Sequence, residues 1–245
     1  MAQLSSCFAL ALLAATPLLA NPSDTLLYAD LNGDAKPDTI RVVSTADGYD
    51  VLNGCTITIN GRAIGVPLED IYHIEIAVRD LDAGDHQQEL FLTTTGASDV
   101  VGHRVVRLGR GGPVVSNSLF GSISLVGDGV VQVQQWMGFW SIARNYRLDE
   151  ESMNWQELPQ ELYQLNTAGT TTKPVTLLSA HEPKAKPAAK LKPKTEVTIV
   201  GCIPTNPTGG TQGEDWYQIK TATGATGWLQ LKDFRDKITL PWQGS

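Results

Sequence analysis

Cysteine is scarce in this 245-residue chain: Cys7, Cys55 and Cys202 are its only three, and no C-x-x-C pair or Cys/His cluster occurs. That excludes the common structural zinc modules and a dense disulfide framework. The G-x-S-x-G, H-E-x-x-H and G-x-x-x-x-G-K motifs are missing too. With them go the hydrolase nucleophile elbow, the zinc-peptidase helix and the phosphate-binding loop. Basic residues are thin in the front part, where residues 21–165 hold nine Lys/Arg against twenty Asp/Glu, while 166–245 hold ten against six. An acidic region of this kind repels nucleic acid and suits divalent cations.

The apolar run Cys7 to Leu19 is too short to span a bilayer as a helix, which needs about 20 residues. It is followed by the small residue Ala20 and then Asn21-Pro22-Ser23. The pattern predicts a signal peptide over 1–20 and a secreted, periplasmic or envelope-associated product with no stable membrane insertion after cleavage. Met1 to Ser6 carries no Lys or Arg, so the positive segment is the amino terminus alone. In an oxidising compartment Cys55 and Cys202 either pair or remain buried thiols.

Residues 27–42 and 77–92 both run from an apolar stretch through an acidic loop into a second apolar stretch. The unit is strand, loop, strand. Short alternating runs such as Thr56-Ile57-Thr58-Ile59 and Arg104-Val105-Val106-Arg107-Leu108 continue the pattern, and Asn60-Gly61 is a hairpin signal. The expected fold is therefore mainly β, with a helical period only over Trp155 to Leu165. The organisation predicted is a signal peptide over 1–20, a β-repeat region over 21–165, a Thr-rich linker over 166–174, a small barrel over 175–238 and a tail over 239–245.

In the first loop Asp30, Asn32, Asp34 and Asp38 offer side-chain oxygens at the first, third, fifth and ninth positions, with the Lys36 carbonyl at the seventh. Hard cations such as calcium take six to eight oxygens, and a loop curled around an ion turns alternate residues inward. The second loop offers Asp80, Asp82, Asp85 and Glu89 with the Gln87 carbonyl, once Ala83-Gly84 is allowed one inserted residue. The competing reading is that these carboxylates cap turns and keep exposed loops soluble. These residues resemble the FG-GAP, or VCBS-type, repeats of extracellular β-propellers, marked by D-x-N-G-D-G-x-x-D between strands. Ala35 departs from that pattern, where the family has Gly. The resemblance covers about residues 24–96 and implies a structural Ca2+ and blades that support ligand binding; since a closed ring needs at least four blades, the expectation is a propeller-like fragment or an open sandwich with its edges covered by Leu119 to Leu165.

Beyond residue 174 come Val175-Thr176-Leu177-Leu178, Leu191 to Val200, Asp215-Trp216-Tyr217-Gln218-Ile219 and Gly227-Trp228-Leu229. This order resembles the bacterial SH3-like domains, with Lys194 where that family often has Gly. The resemblance makes His181 to Lys194 a long loop between the first two strands. It also implies a groove for cell-wall glycan or peptide, bordered by Lys184, Lys186 and Lys190 and by Trp216, Tyr217 or Trp228. Aromatic faces over sugars or peptides, with cations for carboxylates, form such a surface. The alternative is that the tryptophans are core residues of a small barrel.

Neither Cys55 nor Cys202 sits before a predicted helix, as a cysteine nucleophile would, and the four histidines read as structural or solvated. The expected function is that of an exported, calcium-stabilised, non-catalytic binding protein of the cell envelope that recognises a wall polymer, peptide or protein partner. The alternatives are a structural or inhibitory partner of another exported protein, and an accessory cell-wall hydrolase.

Overall fold

The computed structural model describes residues 24–46, 51–97, 100–205 and 213–241. The signal peptide expected over 1–20, and residues 242–245 of the expected tail, lie outside the described residues; the start of that tail is instead part of the fold, Thr239 pairing with Thr170 and Leu240 being buried. Alternating apolar and polar side chains draw most of the described chain into antiparallel strands, and its one helix there is the four-residue α1 (Leu231–Phe234). The chain divides into two compact units: residues up to Phe120 with 127–129 and 148–155, and residues 121–126, 130–147 and 156 onward.

In the first unit seven strands follow one another in a single meander. They are β1 (Thr25–Ala29), β2 (Asp38–Ala46), β3 (Leu52–Ile59), β4 (Arg62–Arg79), β5 (Glu89–Gly96), β6 (Val101–Gly109) and β7 (Gly112–Val115), while β8 (Leu119–Phe120) pairs with β6. The expected hairpin stands between β3 and β4: Asn60 and Gly61 have φ of +49° and +79°, and Ile59 faces Arg62 across the two-residue turn. Such a turn follows the natural twist of the strands it joins. Ile40, Val42, Ile57, Ile59, Ile74, Leu90, Leu92 and Val106 are fully buried and form the core.

β4 is 18 residues long, and its first part pairs with β3 while its second part pairs with β5. Asp70, at φ +54°, marks the change of partner. The two strand-loop-strand repeats therefore lie in one sheet, joined through β3 and the long β4.

The remaining strands form two sheets. The smaller has the order β12-β11-β10-β9, from β9 (Ser122–Gly127), β10 (Val130–Trp136), β11 (Ser141–Asp149) and β12 (Asn154–Leu158). The larger is a half-barrel of order β15-β14-β18-β17-β16-β13-β19. Its strands are β13 (Tyr163–Thr171), β14 (Val175–Leu178), β15 (Pro187–Leu191), β16 (Glu196–Ile203), β17 (Trp216–Thr221), β18 (Thr226–Gln230) and β19 (Ile238–Thr239). Leu177, Ile199, Cys202, Tyr217, Ile219 and Phe234 are fully buried in its core. The Tyr217 ring packs 5.5 Å from Phe139 and 5.4 Å from Phe234. Gly227 is required at its position, because a Cβ there would lie 2.6 Å from Leu177 Cβ and 2.8 Å from the Leu178 carbonyl oxygen.

Three expectations are corrected here. Trp155 to Leu165 forms no helix: it supplies most of β12 and the start of β13. Pro159 between them lacks the N–H that a helix interior needs. Residues 166–174 are not a linker, since 166–171 complete β13, which pairs with both β16 and β19. The Lys/Pro stretch also contains a strand, β15, which begins at Pro187 and forms one end of the sheet order, a place where a missing N–H is tolerated.

Candidate functional site

The first acidic loop is wound around the Asp30 carboxylate. Its Oδ1 accepts the Gly33 and Asp34 N–H at 2.8 and 3.2 Å, and its Oδ2 accepts the Ala35 N–H at 2.7 Å. Asn32 Oδ1 accepts the Asp34 N–H and Asp34 Oδ1 accepts the Lys36 N–H, both at 2.9 Å. Ala35, at the family's glycine position, has φ of +63°. The sequence therefore keeps the left-handed turn without the residue that adopts it most easily. Asp38 is buried, with Oδ2 accepting the Leu31 N–H at 2.8 Å and Oδ1 accepting from Asn60 Nδ2 at 2.6 Å.

The second loop repeats part of this wiring. Glu89 Oε2 accepts the Leu81 N–H at 2.8 Å, as Asp38 does from Leu31, and His86 takes φ +60° as Ala35 takes +63°. Asp82 Oδ1 accepts the Gly84 N–H and Asp85 Oδ1 the Gln87 N–H, while Asp80 is exposed. The two loops touch, the Gln88 N–H donating to the Asp30 carbonyl at 3.2 Å.

The difference between the loops is Arg107 of β6. Its Nη2 lies 2.6 Å from Glu89 Oε1, off the hydrogen-bond axis and so a charge contact, and 3.6 Å from Asp85 Oδ2. Its Nη1 pairs with Glu150 at 2.8 Å. Burial pushes the Glu89 carboxyl above the usual range, against the pull of the Leu81 N–H and Arg107. The second loop thus carries its own cation, a residue that no spacing rule around the loop points to. Among the described residues no group of three His, Cys, Asp or Glu side chains is placed to hold a metal ion. The Asp and Asn oxygens of the first loop instead receive backbone N–H groups.

In the half-barrel the candidate ligand residues separate. Trp216 and Tyr217 are buried, 6% and 0% exposed, and belong to the core, so they offer no binding face. Tyr217 shares the core face of β17 with Ile219, while Trp216 is on the opposite face with half-buried Gln218. Trp228 is half-buried and its ring stands edge-on to His181 at 5.2 Å. His181 begins the loop that carries exposed Lys184 and Lys186, closed at its base by the Ser179 N–H donating to the Lys186 carbonyl at 2.8 Å. His181 was not expected as a partner of Trp228; its place in the loop after β14 was the available clue. A groove of about 1210 Å3 runs over β13, β16 and β17 past Glu196, Thr198 and Lys220, and Trp228 does not line it. We take the Trp228 face as the candidate site, because it joins an aromatic ring to a cationic loop.

Cys55 and Cys202 are free, buried thiols. Burial raises the Cys55 thiol to about 11, and burial together with the nearby Asp215 charge raises Cys202 to about 12. Both move away from the thiolate form that nucleophilic chemistry uses. Among the described residues no helix is long and apolar enough to cross a membrane. Set against known proteins, the chain matches no family model, no curated protein and no solved structure.

Proposed function

We propose that the chain is an exported, non-catalytic binding protein of the cell envelope whose C-terminal unit works as an SH3-like module and docks a wall glycan, a peptide or a protein partner beside Trp228. The observation that carries this reading is the Trp228–His181 ring pair at the root of a lysine-bearing loop. The SH3-like reading is supported by a curved antiparallel sheet in which the short helix α1 precedes the last strand. A non-catalytic role for Cys55 and Cys202 is supported by their burial, which shifts both thiols upward.

The FG-GAP-type reading of the first unit is supported by the matching Leu31–Asp38 and Leu81–Glu89 contacts. Its continuous sheet departs from the separate blades of a propeller. In the first loop Asp30, Asn32, Asp34, Asp38 and the Lys36 carbonyl would hold calcium, whose charge would offset the clustered carboxylates. In the second loop Arg107 meets that need, so we do not extend the ion to Asp80, Asp82, Asp85, Gln87 and Glu89.

Retention of the mature protein on insoluble envelope material, compared with Trp228→Ala, tests the binding role. Loss in the variant at unchanged thermal stability is expected. Equal retention of the two, or none of either, overturns the Trp228 site. Calcium is tested by thermal melting of the intact protein: a rise in Tm with added calcium that disappears in Asp34→Ala is expected, and an unchanged Tm removes the ion.

A further inference from the structure

A second binding site lies in the first unit, in a groove of about 500 Å3 between the β3–β4 and β6–β7 turns. Arg62 and Arg110 both line it, together with Asn32 and the half-buried Leu108, and the buried Ile59 packs beneath. Arg62 Nη1 donates to the Arg110 backbone carbonyl at 3.2 Å, which ties the two turns together, and both arginines line the same cavity. No carboxylate lines it. Arg41 and Arg107 of the same unit each hold an acidic partner, Asp24 and Glu89. Among the described residues neither Arg62 nor Arg110 has one, although this part of the chain carries more than twice as many acids as bases.

Two like charges gathered without a counter-ion in an acidic unit call for an anion from outside. We propose that this groove binds the free C-terminal carboxylate of a peptide whose last residues are apolar. The planar guanidinium fork matches a carboxylate in two parallel hydrogen bonds. The surrounding negative charge disfavours a phosphate dianion or a polyanion, which would meet more repulsion than a single carboxylate. Leu108, half-buried, supplies a surface for an apolar side chain, and the lining holds no aromatic ring on which a sugar would stack.

The test uses the intact mature protein and a fluorescein-labelled Gly-Ala-Leu-Leu peptide, either as the free acid or with its C-terminus amidated. Fluorescence polarisation should show binding of the acid and at least about tenfold weaker binding of the amide, the scale of a lost charge-assisted contact. Arg110→Gln, at an exposed turn, should weaken the acid by about tenfold at unchanged Tm, while Trp228→Ala should leave it unaltered. Equal binding of acid and amide, no binding of either, or full affinity in Arg110→Gln overturns the proposal. Displacement of the peptide by an oligogalacturonate at lower concentration than by unlabelled peptide also overturns it, in favour of an acidic glycan.

Discussion

Arg144 Nη1 lies 2.9 and 3.0 Å from the two carboxylate oxygens of Glu157, and the guanidinium carbon stands 5.6 Å from the centre of the Tyr163 ring. The Tyr163 hydroxyl donates to the same carboxylate at 2.6 Å. Arg144 is only 1% exposed, and its Nε and Nη2 are buried without a hydrogen-bond partner, so Glu157 alone balances its charge. Removing one member of such a pair leaves an uncompensated buried ion. Glu157→Ala should therefore destabilise the second unit by about 3 kcal/mol. The double variant Arg144→Leu, Glu157→Leu should be the more stable of the two. Urea denaturation measures both, and a neutral Glu157→Ala would show that water satisfies the guanidinium.

Acid should affect Glu89 in the sense opposite to an ordinary surface carboxylate. Burial holds its pKa above the unfolded value while Arg107 and the Leu81 N–H pull it down and Asp85 pushes it up. Its neutral form is thus the better fit to the folded state. That stabilisation is complete below the unfolded pKa, about 4.3, and is lost as pH rises through the higher folded value. Glu89→Gln mimics the neutral form. It should match the parent near pH 4 and melt at a higher temperature near pH 7. A lower Tm for the variant at neutral pH would mean that the contact with Arg107 outweighs burial.

Lys194 occupies the left-handed region at φ +67°, and its N–H donates to the Thr171 carbonyl at 2.6 Å, so the conformation is fixed. A side chain there costs about 1 kcal/mol relative to glycine, less what glycine loses in chain entropy. Lys194→Gly should raise stability by about 0.5 kcal/mol, and Ala35→Gly in the first loop should do likewise. Chemical denaturation midpoints decide this, and a fall in both would show that the strain is absent.

The two thiols should be silent in the native protein. With Cys55 raised to about 11 and Cys202 to about 12 by burial, iodoacetamide at pH 8 should label neither until denaturant is added. Labelling of Cys202 under native conditions would point to local opening of β16.

Much of this fold is legible in the sequence, because period-two alternation over Thr56 to Ile59 and Asn60-Gly61 leave little choice of local structure. Other parts are not. β13 escapes because Asn166 to Thr171 has almost no apolar side chain; it is a strand through its pairing with β16 and β19, which are distant in sequence. The wiring of the two acidic loops follows from their spacing, yet Arg107, which distinguishes them, comes from a strand beyond the repeat. Trp216, Tyr217 and Trp228 look alike as candidates; the register sets Trp216 and Trp228 on the face opposite the core-facing Tyr217, and burial by neighbouring residues covers Trp216 while Trp228 stays half-exposed.

The continuity of β4 has a mechanical consequence. A blade of a repeat array can fray while its neighbour stays intact, but here a single backbone stitches both halves, so the opening of either strips hydrogen bonds from the other. Amide protons of β3 and β5 should therefore exchange together, and a nick at Asp70 should raise exchange in both strands at once.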